Sequence, residues 1–118
     1  MMEFKKEMPE FETRRLEANR LLEVHPTKLP IIVEPISSKN NAYGFIQNRF
    51  LVPKNYTFHE FIFHLRRRLE LDRTDALYVL VSQKHLPALD RNMISVYGEF
   101  QDPDGFLYVN YSSEAILG

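Results

Sequence analysis

The most regular pattern in the chain lies at residues 57–69, which have the sequence TFHEFIFHLRRRL. Thr57 and Glu60 have the spacing of a capping box, in which each side chain accepts a hydrogen bond from the other residue's backbone N–H. Apolar residues then recur every three or four positions, at Phe58, Phe61, Ile62, Leu65 and Leu69. This spacing predicts an amphipathic helix that packs one face on a core and carries His59, Arg66 and Arg67 on the other.

Two β-strands are predicted before this helix. Lys28–Pro35 is rich in β-formers, and its prolines suit the ends or the edge of a sheet. Arg49–Val52 is a second short run, closed by Pro53. The polar stretch Ile36–Gln47 connects the two runs, so we expect a hairpin with a long loop.

Two strands and a short helix are predicted after it. Ala76–Ser82 is continuously apolar, which is typical of a strand buried on both faces in a central or near-central position. Asp90 can cap a short helix with Met93, Val96 or Tyr97, and Phe100 on one side. The turn signal Asp102–Gly105 precedes a final strand over Phe106–Tyr111.

The N-terminal region is predicted to be helical. Pro9–Val24 has a proline in its first turn and acidic residues near its start. Glu3–Met8 fits a further helical turn, although it lacks a cap. The apolar residues of the longer helix lie near one face, at Phe11, Ala18, Leu21 and Leu22.

The predicted order is helix, strand, strand, helix, strand, short helix, strand. A hairpin followed by a crossover helix makes an α+β fold with a four-stranded mixed sheet, one main helix and an extra N-terminal helical segment, as in the ubiquitin-like β-grasp. We expect residues 1–26 to be a helical extension packed on the core, 27–112 to be the β-grasp domain and 113–118 to be a flexible tail.

Composition excludes several classes of function. The 118 residues fit one domain, and the absence of cysteine excludes disulfides, thiol nucleophiles and zinc ribbons. The four glycines lack the spacing of a phosphate-binding loop, and the four histidines lack a ligand spacing, so neither a metal nor a cofactor is expected. No signal peptide or membrane-spanning run is present. A small hydrolase is disfavoured because no sequence motif identifies a nucleophile and a base.

Charge is unevenly distributed although the formal net charge is only −1. Residues 49–73 hold six basic and three acidic side chains, a net of +3, whereas residues 86–118 hold one basic and five acidic side chains, a net of −4. Two solvated faces would explain this, and so would a docking site for acidic partners. If the run at Arg49–Val52 lies at the sheet edge, its backbone can pair with a peptide strand.

Five runs in order resemble the autophagy ubiquitin-like modifiers, the family of GABARAP and microtubule-associated protein light chain 3. The similarity spans nearly the whole chain, and any one of the runs alone would be weak. The runs are Phe11-Glu12 with Arg14, residues 28–34 (KLPIIVE), residues 49–53 (RFLVP), Arg66-Arg67-Arg68 after Phe61, and residues 104–109 (DGFLYV) with Tyr111-Ser112 before Gly118.

The resemblance implies conjugation of Gly118 to phosphatidylethanolamine. The partners would be a processing cysteine protease and the activating and conjugating enzymes of the autophagy pathway. This protein would then be the substrate and not an enzyme, cytoplasmic when free and on the autophagosome membrane when lipidated. The lipid would supply the two-chain anchor that the chain itself lacks.

The resemblance also implies that the second strand docks receptors and adaptors through aromatic-x-x-aliphatic motifs. His64 stands where an apolar residue is usual in the family, which implies a smaller, more polar or pH-sensitive second pocket. The first, aromatic pocket would be lined by Glu17, Leu21, Pro30, Ile32, Arg49, Leu51 and Phe106. The second, aliphatic pocket would be lined by Leu51, Phe61, His64 and Leu65. By the resemblance, Lys28, Arg49 and Arg68 would attract the acidic residues of the peptide. By their place in the short run at the sheet edge, Phe50, Leu51 and Val52 would flank it.

A second interpretation needs no conjugation. An unconjugated β-grasp module could bind tubulin, acidic proteins or RNA through Arg66, Arg67 and Arg68. Binding would then depend steeply on salt. The near-neutral overall charge argues against nucleic acid as a partner.

Overall fold

The computed structural model describes residues 3–37, 43 and 48–114. Their order confirms the predicted succession of helices and strands. Expectations about residues 115–118, including Gly118, and about most of the loop at 38–47 lie outside the described residues. The elements are α1 (Glu3–Glu7), α2 (Phe11–Val24), β1 (Lys28–Pro35), β2 (Arg49–Pro53), α3 (Phe58–Arg68), β3 (Tyr78–Val81), α4 (Met93–Phe100) and β4 (Leu107–Ser112).

The four strands form one mixed sheet in the order β2-β1-β4-β3. β1 pairs antiparallel with β2, as the predicted hairpin requires, and parallel with β4. β3 pairs antiparallel with β4. β1 and β4, which are far apart in sequence, are therefore the central strands, and β2 and β3 are the edge strands.

The prediction that the apolar run at residues 76–82 forms a central or near-central strand is wrong. β3 covers only Tyr78–Val81 and is the last strand of the sheet. Val79 and Val81 pack into the core beneath α3, while Leu80 is also buried. A continuous apolar run indicates that both faces of a strand are covered. Helices and loops can cover both faces of an edge strand, so the run does not require a hydrogen-bonded strand on each side.

The capping box of α3 is present as predicted. Thr57 accepts a hydrogen bond from the Glu60 N–H (3.1 Å), and the Glu60 carboxylate accepts one from the Thr57 N–H (2.9 Å). The helix buries Phe58, Phe61 and Leu65 against one face of the sheet. Alternate residues of β1 lie on this face and pack against α3, since successive side chains of a strand point to opposite faces.

Two details of the other helices differ from the prediction. The N-cap of α4 is Asn92 rather than Asp90, and its side chain makes no capping hydrogen bond within the described part of the chain. The Met93 N–H instead donates to the Tyr56 carbonyl (2.7 Å), so tertiary contact replaces the cap. In α2, Phe11 is exposed, whereas Arg14 is buried because it pairs with Asp104.

The second face of the sheet is covered by α1 and α2. Its small core contains Phe4, Ala18, Ile32, Phe106 and Tyr108, with Met8 and Leu21 partly buried beside them. The Glu3–Met8 region thus forms a real helical turn, because Phe4 is fully buried on the sheet. A helix of five residues is marginal alone and is stabilised here by tertiary packing.

Candidate functional site

The outer edge of β2 is the feature most suited to a ligand. Within the described residues, β2 pairs only with β1, through the register Pro30–Leu51 and Ile32–Arg49. The backbone groups of β2 that point away from β1 can therefore accept an added strand. Short length and a terminal proline are common ways of protecting such an edge from aggregation.

Residues predicted for the aromatic pocket lie together on the α2 side of this edge. Alternation along β2 places Arg49 and Leu51 on the face opposite Phe50 and Val52, which pack beneath α3. Their cross-strand partners are Ile32 and Pro30. The same face holds Leu21 and Phe106 in one apolar cluster with Ile32.

Glu17 on α2 completes this side of the edge. Its carboxylate accepts two hydrogen bonds from Arg20, at 2.6 Å to Nη2 and 3.1 Å to Nε. The Arg20 hydrogen bond is the main cause that lowers the pKa of Glu17, and the nearby positive charge of Arg49 contributes as well. Glu17 therefore stays ionised and is already paired within its own helix.

The α3 side of the edge is built around Phe50. The His64 ring meets Phe50 edge to face, with centroids 6.1 Å apart, and the Arg68 guanidinium lies 5.0 Å from the Phe50 ring centroid. Phe61 and Leu65 are fully buried in the core below. Access from solvent therefore runs over Phe50, His64 and Arg68 rather than directly to Phe61.

Leu51 is not brought together with Phe61, His64 and Leu65. Strand alternation directs Leu51 to the α2 face, whereas the other three belong to α3 on the opposite face. One residue of a strand cannot line both faces of a sheet. Phe50 occupies the place on the α3 side that the sequence interpretation gave to Leu51.

His64 is held in its neutral form. Partial burial lowers its pKa, and the positive charges of Arg68 and Arg67 lower it further. Compared with the apolar residue that is usual at this position, His64 thus adds a polar ring that is uncharged at neutral pH. The α3 side of the edge gains a titratable group without gaining a cation under those conditions.

The basic residues predicted near the site are dispersed. Lys28 is exposed at the start of β1, opposite Pro53, and Arg49 lies opposite Ile32 at the far end of the same strand pair. Arg68 lies on the other face, over Phe50. Acidic residues of a docked strand could therefore meet positive charge at both ends of the edge and on both faces.

The three consecutive arginines of α3 do not form one uniform basic surface. Arg66 donates to the backbone carbonyls of Asp72 (3.0 Å) and Asp75 (2.8 Å), which holds the loop after α3. Arg68 lies over Phe50. Arg67 lines two shallow depressions beside the exposed Phe63. This division of roles disfavours a binding site that uses all three equally.

Sequence reasoning missed two residues next to this site. The Arg49 guanidinium lies 5.0 Å from the Phe4 ring centroid, and its Nη2 is 3.5 Å from the Met8 sulfur. Phe4 and Met8 are four apart, so a helical turn at Glu3–Met8 places them on one side. That spacing was the only available signal, because the contact with Arg49 joins distant parts of the chain.

No helix in the described part of the chain is long and apolar enough to cross a membrane.

The order of the strands and the crossover helix make this a protein with the ubiquitin-like fold. The crystal structure of Trypanosoma brucei ATG8 is similar to it with a TM-score of 0.79 and 38% sequence identity, and the match covers 92% of each chain.

The sequence comparisons agree with this structural similarity. A family model described as "Autophagy protein Atg8 ubiquitin like" matches residues 13–118. Autophagy-related protein 8e of Arabidopsis thaliana is 36% identical over 109 residues, or 92% of this chain and 88% of the relative. Autophagy-related protein 8 of Coccidioides immitis (strain RS) is 35% identical over 115 residues, or 98% and 96%. The chain belongs to the Atg8 ubiquitin-like family of autophagy proteins.

Proposed function

We propose that this protein is a modifier joined through Gly118 to phosphatidylethanolamine and that β2 docks aromatic-x-x-aliphatic motifs of receptors and adaptors. The docking proposal is carried by the open edge of β2, which has apolar residues and an arginine on each face. Conjugation is carried by membership of the family, whose model extends to residue 118. Lipidated protein would lie on autophagosomes and unconjugated protein in the cytoplasm.

The docked peptide would extend the sheet as a fifth strand beside β2. Main-chain hydrogen bonds would supply affinity and alternate side chains would enter the two faces, giving specificity. An aromatic residue would lie on the α2 side, near Leu21 and Leu51, and an aliphatic residue on the α3 side, near Phe50 and His64. Acidic flanks would meet Arg49 and Arg68. These charges would mainly fix the register of the peptide and raise its association rate.

Conjugation would use the protein as a substrate. An activating enzyme would convert the Gly118 carboxylate to an acyl adenylate with release of pyrophosphate from ATP. A cysteine thiolate of that enzyme would displace AMP, and transfer to a conjugating enzyme would preserve the thioester. The lipid's amine would then displace the thiolate and form an amide. A processing protease would act if further residues follow Gly118 in the cell.

The docking experiment is calorimetric titration with an acidic-flanked aromatic-x-x-aliphatic peptide. The double substitution Arg49→Ala with Leu51→Ala removes a charge and an apolar contact, so we expect the affinity to fall about tenfold or more. Leu89→Ala with Arg73→Ala is the matched control, because both side chains are exposed outside β2. Equal affinity of wild type and the β2 variant would refute docking at this edge.

The conjugation experiment is intact mass spectrometry of membrane-bound protein from cells. Wild type should carry the mass of phosphatidylethanolamine less one water, and Gly118→Ala should abolish that species. An unchanged lipidated species in the variant would refute Gly118 as the attachment point. The basic-helix alternative predicts instead that Gly118→Ala leaves localisation intact and that substituting Arg66, Arg67 and Arg68 abolishes partner binding.

A further inference from the structure

The N-terminal helix contacts the charged residue of the docking edge. Arg49 is exposed on β2, yet its guanidinium lies over the Phe4 ring and its Nη2 donates to the Met8 sulfur. We propose that Phe4 and Met8 are positioning residues that hold Arg49 in place for an acidic residue of the docked peptide. This inference rests on the proposed function, because it concerns the ligand selectivity of the same edge.

Phe4 can serve as a fixed support because the fold holds it firmly. Its side chain is fully buried, and its ring meets Phe106 edge to face at 5.0 Å. Its N–H donates to the buried Glu34 carboxylate at 2.6 Å. One residue later, Lys5 forms an ion pair with Asp102 at 3.0 Å. The segment that carries this ring is thus anchored to β1 through Glu34 and to the turn before β4 through Asp102 and Phe106.

Met8 is held just as directly. Its backbone carbonyl accepts a hydrogen bond from Arg14 Nη1 at 2.8 Å, and the Pro9 carbonyl accepts another at 3.0 Å. Arg14 in turn is paired with the buried Asp104. The thioether therefore approaches Arg49 from a connection whose backbone is fixed to α2 and to the turn before β4.

The charge of Arg49 remains available to a ligand. Within the described residues Arg49 forms no ion pair, and Glu17, whose pKa its charge helps to lower, is already hydrogen-bonded twice by Arg20. The contacts to Phe4 and Met8 restrict a long side chain without neutralising it. Ordering of this kind before binding reduces the conformational entropy lost on binding, so the gain should appear only with ligands that use the charge.

The test compares two peptides with the same aromatic-x-x-aliphatic core, one with Asp and Glu in the flanks and one with Asn and Gln. Phe4→Leu and Met8→Leu remove the ring and the sulfur while keeping apolar volume. Each should weaken the acidic peptide about threefold or more and change the neutral one by less than about twofold, as expected for contacts of this strength. Phe100→Leu is the matched control, since that ring makes a similar contact with the Arg91 guanidinium at 5.6 Å but belongs to α4.

A double-mutant cycle with Arg49→Gln separates positioning from a general structural effect. Once Arg49 is replaced, Phe4→Leu and Met8→Leu should no longer affect the acidic peptide. In the wild type, the Arg49 Nε–Hε proton should also show a ring-current shift in its NMR spectrum, and Phe4→Leu should remove it. Because Phe4 is buried, thermal melts accompany its variant, and Met8→Leu carries the test if Phe4→Leu does not fold.

Three results would overturn the inference. Equal weakening of both peptides would make Phe4 and Met8 merely structural, and an effect that persists without Arg49 would do the same. Tighter binding of both peptides by Met8→Leu would show that Met8 obstructs the edge. If wild type binds neither peptide, docking at β2 fails as well, which distinguishes failure of the proposed function from failure of the positioning alone.

Discussion

Arg14 and Asp104 form an ion pair beneath the surface, with 2.9 Å between Arg14 Nε and Asp104 Oδ2. The Asp104 carboxylate is completely buried and also accepts hydrogen bonds from the Tyr108 hydroxyl (2.6 Å) and the Phe106 N–H (2.9 Å). Burial, followed by this hydrogen bond, raises the pKa of Tyr108 far above its ordinary value. The pair joins α2 to the turn that leads into β4.

Removing the charge of Asp104 should destabilise the protein severely. Asp104→Asn leaves the buried Arg14 guanidinium without its counter-ion, and breaking a buried pair costs about 3–5 kcal/mol. The measurement is the free energy of unfolding from urea denaturation. Glu99→Gln is the control, because it breaks the exposed Arg91–Glu99 pair and should cost about 1 kcal/mol or less. Equal losses for the two variants would contradict this assignment.

The backbone of Gly105 makes the same turn sensitive to substitution. Its φ is +93°, and an added Cβ would lie 3.0 Å from the Cβ of Ala18. Gly105→Ala should therefore reduce the free energy of unfolding by more than about 1 kcal/mol. Gly98→Ala in α4 is the matched control, since no described atom beyond its neighbours and its own helix backbone lies within 4 Å of its Cβ position, and it should stabilise the helix by roughly 0.5–1 kcal/mol. The same sign for both variants would contradict the prediction.

Glu34 should make stability depend on pH in an unusual direction. Burial raises the pKa of this carboxyl, only partly offset by the hydrogen bond from the Phe4 N–H. A raised pKa means that the contribution of Glu34 to stability is present below its ordinary pKa of 4.5 and is lost as pH rises through the folded value. The ionised form therefore costs stability at pH 7.

Glu34→Gln should consequently stabilise the protein at pH 7, and the difference should vanish below about pH 4.5. The amide oxygen can still accept from Phe4, and the amide N–H can donate to a buried acceptor. Glu34 Oε1 and Asn110 Oδ1 both lack a hydrogen-bond partner among the residues that the structure describes, and β1 and β4 place these two residues side by side. Urea denaturation across this pH range, with the exposed Glu23→Gln as control, measures the effect. Destabilisation at pH 7 would disprove it.

His64 should titrate below the ordinary pKa of histidine. Burial and the two neighbouring arginines lower its pKa, so its contribution to stability is present above pH 6.5 and is lost as pH falls through the folded value. Protonation would also place a cation beside Phe50. We expect weaker binding of the motif's aliphatic residue at acidic pH in the wild type and less pH dependence in His64→Leu. NMR titration of the His64 ring and calorimetry at two pH values measure both effects, and identical pH profiles would contradict them.

Much of the fold could be predicted from local patterns. The capping box of Thr57 and Glu60 and the apolar spacing after it predicted α3 correctly, because both act within a few residues. The proline-bounded run Lys28–Pro35 was predicted with its exact limits. The short run closed by Pro53 predicted β2, and a turn signal followed by alternation predicted β4, each to within a residue at each end.

Long-range features could not be predicted in this way. The burial of Arg14 depends on Asp104, 90 residues away, and the burial of Phe4 depends on the sheet beneath it. The edge position of β3 depends on which strands pair, which its own apolar residues do not specify. Likewise, Leu51 and Phe61 lie on opposite faces of the sheet, and this becomes clear only once the register of β2 with β1 is known.

The residues of the docking edge illustrate the division most clearly. Local sequence determined that Arg49–Pro53 is a short strand, because β-propensity and the terminal proline are properties of neighbouring residues. The contact of Arg49 with Phe4 and Met8 arose only when the sheet and α1 came together, because ring and thioether contacts require distances of a few ångströms between segments some 40 residues apart in sequence.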